Sequence, residues 1–429
     1  MGIKAILILI IPFCLFSQNN LLVDSLNTNF QNINHITSKY DSTYDFHVVF
    51  LLPFCQISNH EILDMELDSI SEDSKISDFN VNRKSLISTD FLNGFLTYLN
   101  KINDVKFKIS VYDIDSGENS KVIIDSLIKK RAFKNVDIVI GPLFTENFLY
   151  FSKKFNKKIP VVSPFSKKSN IVSNNPYSIQ IKPTIENQIK IFAKYILDEH
   201  KDDKIIVINR DTLFKSKRIT VSGSDTLVID TVVTNDVKLR DIFLNQIDTT
   251  TNIDYKNINI NKTVVDSIHH ELDTLGNKNI VVIPSNDNVF VTDLLSKLHA
   301  CRDTNLLVYG MPSSYNFNHL SVDDLMDLKL SFPHHGLDDS EFKKQFILEF
   351  INQHNYISDL KYSLTGYEVG CYFISLLKKY GSIIPELAED GSLRFVENIY
   401  DFKKLDSKGY INNGIIILRY DDFGYKRIY

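Results

Sequence analysis

The chain has 429 residues, 43% hydrophobic and 24% charged, with a formal net charge of -5; this is a globular composition of a size for two or three domains, or for two lobes sharing one chain. Lys+Arg 48 stand against Asp+Glu 53 with no basic block or stripe, which argues against nucleic acid as a partner. Tryptophan is absent, so aromatic contacts with a ligand fall to the 20 Tyr and 29 Phe.

Lys4 precedes the apolar run Ala5–Phe16, and Ser17-Gln18-Asn19-Asn20 follow. A basic start, a short apolar core and a polar exit predict a signal peptide over residues 1–17, cleaved after Ser17, and a periplasmic or other extracytoplasmic destination. Cys14 offers a lipoprotein alternative, but Phe13 is bulky where lipoprotein signals carry a small residue. The run is too short to span a bilayer. Cys55, Cys301 and Cys371 remain, an odd number without a CxxC pair. Their spacing does not choose a disulfide, and buried thiols are the commoner outcome.

Residues 18–45, rich in Asn, Ser, Thr and Asp, read as a flexible leader. Phe46–Phe54 is an apolar run stopped at Pro53, as in a strand buried on both faces. Residues 58–85 are polar and read as a loop. Phe91, Leu92, Phe95, Leu96 and Leu99 then line one face of a helix over Ser88–Ile102. The alternation continues with strand Val105–Asp113, helix Ser120–Phe133, strand Val136–Ile140, helix Thr145–Asn156 and strand Lys158–Ser166. A second series begins with helix Ile185–Glu199 and strand Lys204–Asn209. It continues with strand Tyr255–Ile260, helix Val264–Leu275, strand Asn279–Pro284, helix Val289–Ala300 and strand Asn305–Gly310. The polar insertion at about 213–251 holds "RITVSGSDTLVIDTVV" (Arg218–Val233), which predicts a hairpin. Helices over Ser340–Gln353 and Gly366–Tyr380 and a β-like stretch, Gly414–Ile428, complete the chain.

Strands and helices at this interval predict right-handed βαβ crossovers. The expected fold class is α/β, with two doubly wound parallel-sheet lobes joined by a hinge. Lobe I takes 46–183 with 334–400, and lobe II takes 184–333 with 401–429.

The sharpest enzyme-like signal is "VYDIDSG" (Val111–Gly117), since Asp113-x-Asp115 after a strand is how aspartate-nucleophile phosphatases begin. Gly117 stands where those enzymes want Thr or Val, and two polar residues capping a strand end explain the pair equally well. His269-His270 and His334-His335 are neighbours rather than the i,i+4 pairs that share a helix face, so no metal site is expected. No GxSxG, GxGxxG or GxxxxGK[ST] occurs, and neither enzymatic activity nor a cofactor is expected. The strand-end corners are more informative. Pro53-Phe54, Gly141-Pro142-Leu143-Phe144-Thr145 and Ser163-Pro164-Phe165-Ser166 should gather along one edge of a parallel sheet, where such folds bind ligands. Thr145 opens a helix, a seat for a carboxylate or phosphate.

The segments "VVFLLPF" (Val48–Phe54), "DFLNGF" (Asp90–Phe95), "VYD" (Val111–Asp113) and "DIVIGPLFTEN" (Asp137–Asn147) resemble the type I periplasmic binding proteins. "IPVVSPFS" (Ile159–Ser166) and "LTGYEVGCYFISLLKKYG" (Leu364–Gly381) extend the likeness, which is to the family of branched-chain amino-acid receptors of ABC importers. The chain looks closest to a divergent branch of Bacteroidetes-like bacteria that is often joined to LysM modules, although no such module is visible. The resemblance implies two lobes, three crossovers and a cleft closing on a ligand by hinge motion. By position, Thr145 and Ser163 to Ser166, with Phe165 between them, would meet the carboxylate and ammonium of an amino acid or similar zwitterion. Pro53 and Phe54 would line the first-lobe wall. Phe144 departs from the pattern, standing where small residues are usual, and the insertion prevents alignment of second-lobe ligand residues. The implied function is that of an exported solute-binding protein, with a membrane transporter or a cell-envelope protein as partner. The alternative is a ligand-free scaffold for envelope or peptidoglycan assembly, as in a related domain of cell-wall synthase activators; apolar side chains filling the cleft, Phe144 first, would mark it.

Overall fold

A computed structural model describes residues 22–24, 44–60, 81–210, 217–220, 228–231, 235–248, 254–260, 265–273, 276–301, 305–315, 320–336, 340–383, 393–395 and 398–429. The expected signal peptide lies outside these residues, as does most of the expected leader. The chain divides into two compact units, Met1–Lys182 with Asp339–Gly414 and Pro183–Asp338 with Ile415–Tyr429.

The first unit is organised by the strand Phe46–Leu52. Val48, Phe50 and Leu52 enter one apolar layer while Val49 and Leu51 enter the other, as the two-residue period of a strand requires. Helices cover both layers. Among the described residues the sheet runs Leu22–Asp24, Phe107–Asp113, Phe46–Leu52, Ile138–Ile140, Val161–Ser163, Ser178–Gln180, Tyr410–Asn412 and Phe402–Lys404. Every pairing is parallel except the last. The founding strand has its sequence successor on one side and the third strand on the other. Strand order therefore reverses there, and such a reversal opens a crevice beyond the carboxyl ends.

The second unit repeats this plan. Ile205–Arg210 lies between Tyr255–Ile260 and Asn279–Val282, followed by Leu306–Tyr309 and Ser331–His334, all parallel. Ile416–Asp421 and Gly424–Arg427 then add two antiparallel strands. Ile205, Val207, Ile280, Val282 and Ile417 bury one face against Phe192, Ile196, Phe243 and Ile247.

Several expectations need correction. Leu22–Asp24, read as leader, pairs in parallel with Lys108–Ser110. Residues 401–429 do not pass together into the second unit. Phe402 and Tyr410 pack with Tyr372 and Tyr400 in the first core, and Asn412 donates to the Ile181 and Ile399 carbonyls, so the chain crosses only after Gly414. Lobe I was expected to resume at 334, but Ser331–His334 is a second-sheet strand and the crossing falls at Asp338/Asp339. Part of the polar stretch 58–85 is helical, because Asn82 caps a helix over Arg83–Leu99 by accepting from the Lys84 N–H at 3.0 Å. Val265–Glu271 forms a 3-10 helix instead of the longer α-helix expected. The insertion does contain an antiparallel hairpin, Lys217–Thr220 with Val228–Thr231, and also a helix, Asn235–Asp248, that composition concealed.

Helices Arg83–Leu99 and Leu360–Tyr380 cross at very close range. A Cβ on Gly94 would stand 1.8 Å from the Ser363 carbonyl oxygen, and one on Gly366 would stand 1.9 Å from that of Phe91. Among the described residues no helix is long and apolar enough to cross a membrane.

Candidate functional site

Parallel pairing places the ends of Phe46–Leu52, Phe107–Asp113, Ile138–Ile140, Val161–Ser163 and Ser178–Gln180 along one edge of the first sheet. The Pro53-Phe54 and Gly141–Thr145 corners flank the point where strand order reverses. Gly141 has φ 94°, and a Cβ there would lie 2.4 Å from the Leu51 carbonyl oxygen. Only glycine fits this corner, so the abrupt end of "DIVIG" is required by the neighbouring strand.

Asp113 spends its carboxylate on this edge. It accepts from the N–H groups of Phe54 (2.9 Å), Cys55 (3.2 Å), Gln56 (3.0 Å) and Asp115 (2.8 Å). Burial pushes the carboxyl above the usual range, against the pull of those N–H groups. Asp115 is buried and accepts from Ser58 Oγ at 3.1 Å and Asn119 Nδ2 at 3.0 Å. The pair therefore organises backbone, and four donors crowd the carboxylate that a phosphatase would use as nucleophile. The Pro53 and Phe54 carbonyls are likewise engaged. Ser88 Oγ donates to Pro53 O at 3.1 Å, and Asn59 Nδ2 (3.1 Å) and Ser85 Oγ donate to Phe54 O. What these two residues present is apolar, with Phe54 half-buried against the core.

Thr145 and Ser166, 21 residues apart, come together: Thr145 Oγ1 donates to Ser166 Oγ at 3.1 Å. Ser166 Oγ also accepts from the Lys168 N–H at 3.3 Å. With both contacts arriving at its oxygen, the Ser166 hydroxyl keeps its own proton to donate. Thr145 opens the helix Thr145–Lys154, and Phe144 at the N-cap supplies no side-chain acceptor to the first-turn N–H groups. Below this turn Gln180 Nε2 donates to the carbonyls of Ser166 (2.9 Å) and Lys168 (3.1 Å). Gln180 Oε1 and Ser163 Oγ are both buried without a hydrogen-bond partner, and the two residues are in register on adjacent strands. Phe165 turns from this polar group into the core, its ring 5.3 Å from Phe91 and 5.5 Å from Tyr362. Phe144 packs on the same core, with Lys84 Nζ 5.5 Å from its ring centroid. Of the expected residues, Thr145 and Ser166 are joined directly, Ser163 lies in the strand beneath, and the three phenylalanines and Pro53 form apolar surroundings.

The corresponding edge of the second sheet was missed. Arg210 pairs with Asp287 across its own strand-order reversal. Asp236 accepts from Ser285 Oγ at 2.5 Å and from the Asn286 N–H at 3.1 Å, and Ser313 Oγ donates to Asn286 Oδ1 at 2.6 Å. The signal was present in "VVIPSND", a strand with a proline-marked polar exit like "VVSPFS". Tyr315 stacks on His334 at 4.2 Å, and His269 and His270 lie ring to ring at 3.8 Å. Among the described residues, no group of three or more His, Cys, Asp or Glu is placed to hold a metal.

No protein-family model matches the chain, and no curated protein sequence matches it. Solved structures share its fold. A candidate branched-chain amino acid ABC transporter protein from Rhodospirillum rubrum matches with TM-score 0.58 and 12% identity, over 89% of this chain and 99% of its own. LpoA of Haemophilus influenzae, in a monoclinic form, matches with TM-score 0.53 and 12% identity, over 89% of this chain and 58% of LpoA. A full-length LpoA structure gives 0.51 at 11% identity over the same shares. The chain thus has the type I periplasmic-binding-protein fold, which the resemblance implied.

Proposed function

We propose that the chain is an exported, non-catalytic solute-binding protein whose first unit receives the carboxylate of an amino acid or similar zwitterion. The observation that carries this is the Ser166 hydroxyl. It accepts from Thr145 and Lys168 and keeps a proton to donate, beside a helix start that no side chain caps. A helix N-terminus with a convergent hydroxyl donor suits a carboxylate oxygen. Gln180 supports the turn from below, while Phe54, Phe144 and Phe165 form the apolar wall that small-ligand sites use for shape. The partner fitting this reading is a membrane transporter.

The test is a melting scan of the chain against amino acids, with native mass spectrometry for a retained ligand. A ligand at 100 times its Kd adds about 2.7 kcal/mol, a rise of a few degrees for units of this size. Ser166→Ala removes the proposed donor; it should weaken binding about ten- to a hundredfold, the scale of one hydrogen bond to a charged group. An empty protein with a flat panel would sink the proposal.

A second reading has its own support. Phe165 wedged between Phe91 and Tyr362, with Phe54 and Phe144 on the same core, gives this edge an apolar cover. That suits a scaffold of the cell envelope that holds no small ligand, and LpoA shares the fold. Crosslinking in the envelope that captures one stoichiometric protein partner, together with the flat panel, would favour it.

A further inference from the structure

Ser163 and Gln180 are fully buried, and Ser163 Oγ and Gln180 Oε1 have no hydrogen-bond partner among the described residues. Parallel pairing sets the two residues side by side on adjacent strands, so their side chains leave the same face of the sheet. That face is the one covered by the helix Thr145–Lys154. Val161, two residues before Ser163, shares a buried cluster with Phe148 and Phe151 of that helix. Ser178, two residues before Gln180, donates from Oγ to Ser152 Oγ at 3.4 Å. A crossover helix runs antiparallel to its strands, and two strand residues advance about 6.6 Å, as far as about four helix residues. The step from Ser178 to Gln180 thus matches the step from Ser152 to Phe148, one turn from the helix start. On the other side of Ser163, Ile140 pairs with Val162, so Gly141 comes next and adds no side chain beside the hydroxyl.

The Gln180 amide decides what can sit there. Its Nε2 donates to two carbonyls, those of Ser166 and Lys168. Only the NH2 end can do this, so Oε1 is the atom turned away from the turn. An amide oxygen accepts and never donates, so its partner has to be a donor, which excludes an ionised carboxylate or phosphate. Ser163 Oγ can meet the same partner as donor or acceptor. Buried polar atoms are almost always partnered, and ordered water serves where the protein supplies nothing. We propose that Ser163 Oγ and Gln180 Oε1 hold one buried water between the sheet and the helix Thr145–Lys154. The water donates to Gln180 Oε1 and accepts from the Ser163 hydroxyl. It thereby holds the amide in the orientation that gives both Nε2 protons to the turn Ser166–Lys168, and Ser163 becomes a positioning residue for that turn. The seat takes a neutral donor, unlike the carboxylate assigned to the Ser166 hydroxyl, and it does not depend on the solute-binding reading.

The experiment is a crystal structure of the full chain at a resolution that shows ordered waters, joined to amide exchange in solution. One water should lie within about 3.2 Å of both Ser163 Oγ and Gln180 Oε1. The exchange reporter is the Lys168 N–H, which donates to Ser166 Oγ within the turn. Its exchange should quicken several-fold in Ser163→Ala, which acts on the turn only through the water and the amide. Gln180→Met, which removes the amide itself, should quicken it at least as much. Should the Gln180 variant fail to fold, the parent crystal and Ser163→Ala decide the matter alone. A direct hydrogen bond from Ser163 Oγ to Gln180 Oε1, an anion in the seat, or no water there would overturn the proposal. Unchanged Lys168 exchange in Ser163→Ala would overturn the positioning role.

Discussion

Replacing Gly366 by alanine tests the contact on which the first unit's helical layer depends. The added Cβ would lie 1.9 Å from the Phe91 carbonyl oxygen, 2.9 Å from its carbon and 3.0 Å from the Phe95 nitrogen. All three are backbone atoms, so no side chain can rotate away and the helices must separate by more than 1 Å, roughly the gap to an ordinary contact distance. That separation loosens Phe91, Phe95, Val369 and Phe373, which are all fully buried. Overpacking of this kind costs about 1–3 kcal/mol, more where relief requires backbone movement. Alanine recovers about 1 kcal/mol in helix propensity. With the cost at the upper end of that range, because only backbone can move, the expected net loss is about 2 kcal/mol, read as a lower urea midpoint for the first unit while the second unit's transition stays in place. Gly424→Ala is the control, since a Cβ there meets nothing within 4 Å, and it should change stability by less than about 0.5 kcal/mol. A Gly366→Ala protein as stable as the parent would refute the close crossing.

Other expectations follow from buried groups. His354 Nε2 lies 3.0 Å from Thr97 Oγ1, and burial lowers its pKa to about 4 from 6.5. Because the folded value is depressed, this contribution is fully present above pH 6.5 and is lost as pH falls towards 4. The loss is at most about 3 kcal/mol. Urea midpoints at pH 7 and near pH 4 should differ less in His354→Gln than in the parent, and equal differences would refute the assignment. Asp113→Ala leaves four backbone N–H groups without their acceptor, which should cost about 2–4 kcal/mol. Amide exchange at residues 54–56 should then quicken; unchanged protection there would mean that the carboxylate does not hold this corner.

Much of the scaffold was legible because its signals are local. The run Phe46–Phe54 alternates between two buried layers, so it could be read as a doubly covered strand, and helix Ile185–Glu199 carries both its apolar stripe and its Thr184 cap in sequence. What escaped detection lacked such signals. Ser178–Gln180 has three residues, too few for any period, and is held as a strand by its neighbours. Pro333 disguised Ser331–His334, although the strand's antiparallel partner spans Ile416 to Arg419. Leu239, Phe243 and Ile247 do follow helical spacing, but polar neighbours outweighed them in composition. At the candidate site, the corners were visible, yet the joining of Thr145 to Ser166 depends on tertiary packing.

Several of the segments that carried the family resemblance also meet strict steric demands. Gly94 and Gly366 sit at the helix crossing and Gly141 sits under the Leu51 carbonyl; at each, a backbone oxygen occupies the space of a side chain. Tyr367 and Glu368 have structural tasks too. The tyrosine hydroxyl accepts from Lys101 Nζ at 2.9 Å, and the buried glutamate accepts from the Asn398 N–H at 3.0 Å. Such residues fix how strands meet helices in this chain, whose fold is shared with a solved structure at 12% identity. They say little about what is bound, since fold and function separate at this level. On the solute-binding proposal, the choice of ligand would fall to residues outside those demands, such as the Ser166 hydroxyl and Phe144. If the solute-binding reading holds, substitutions at these positions should change affinity while leaving the scaffold intact, and substitutions at the glycines should do the reverse.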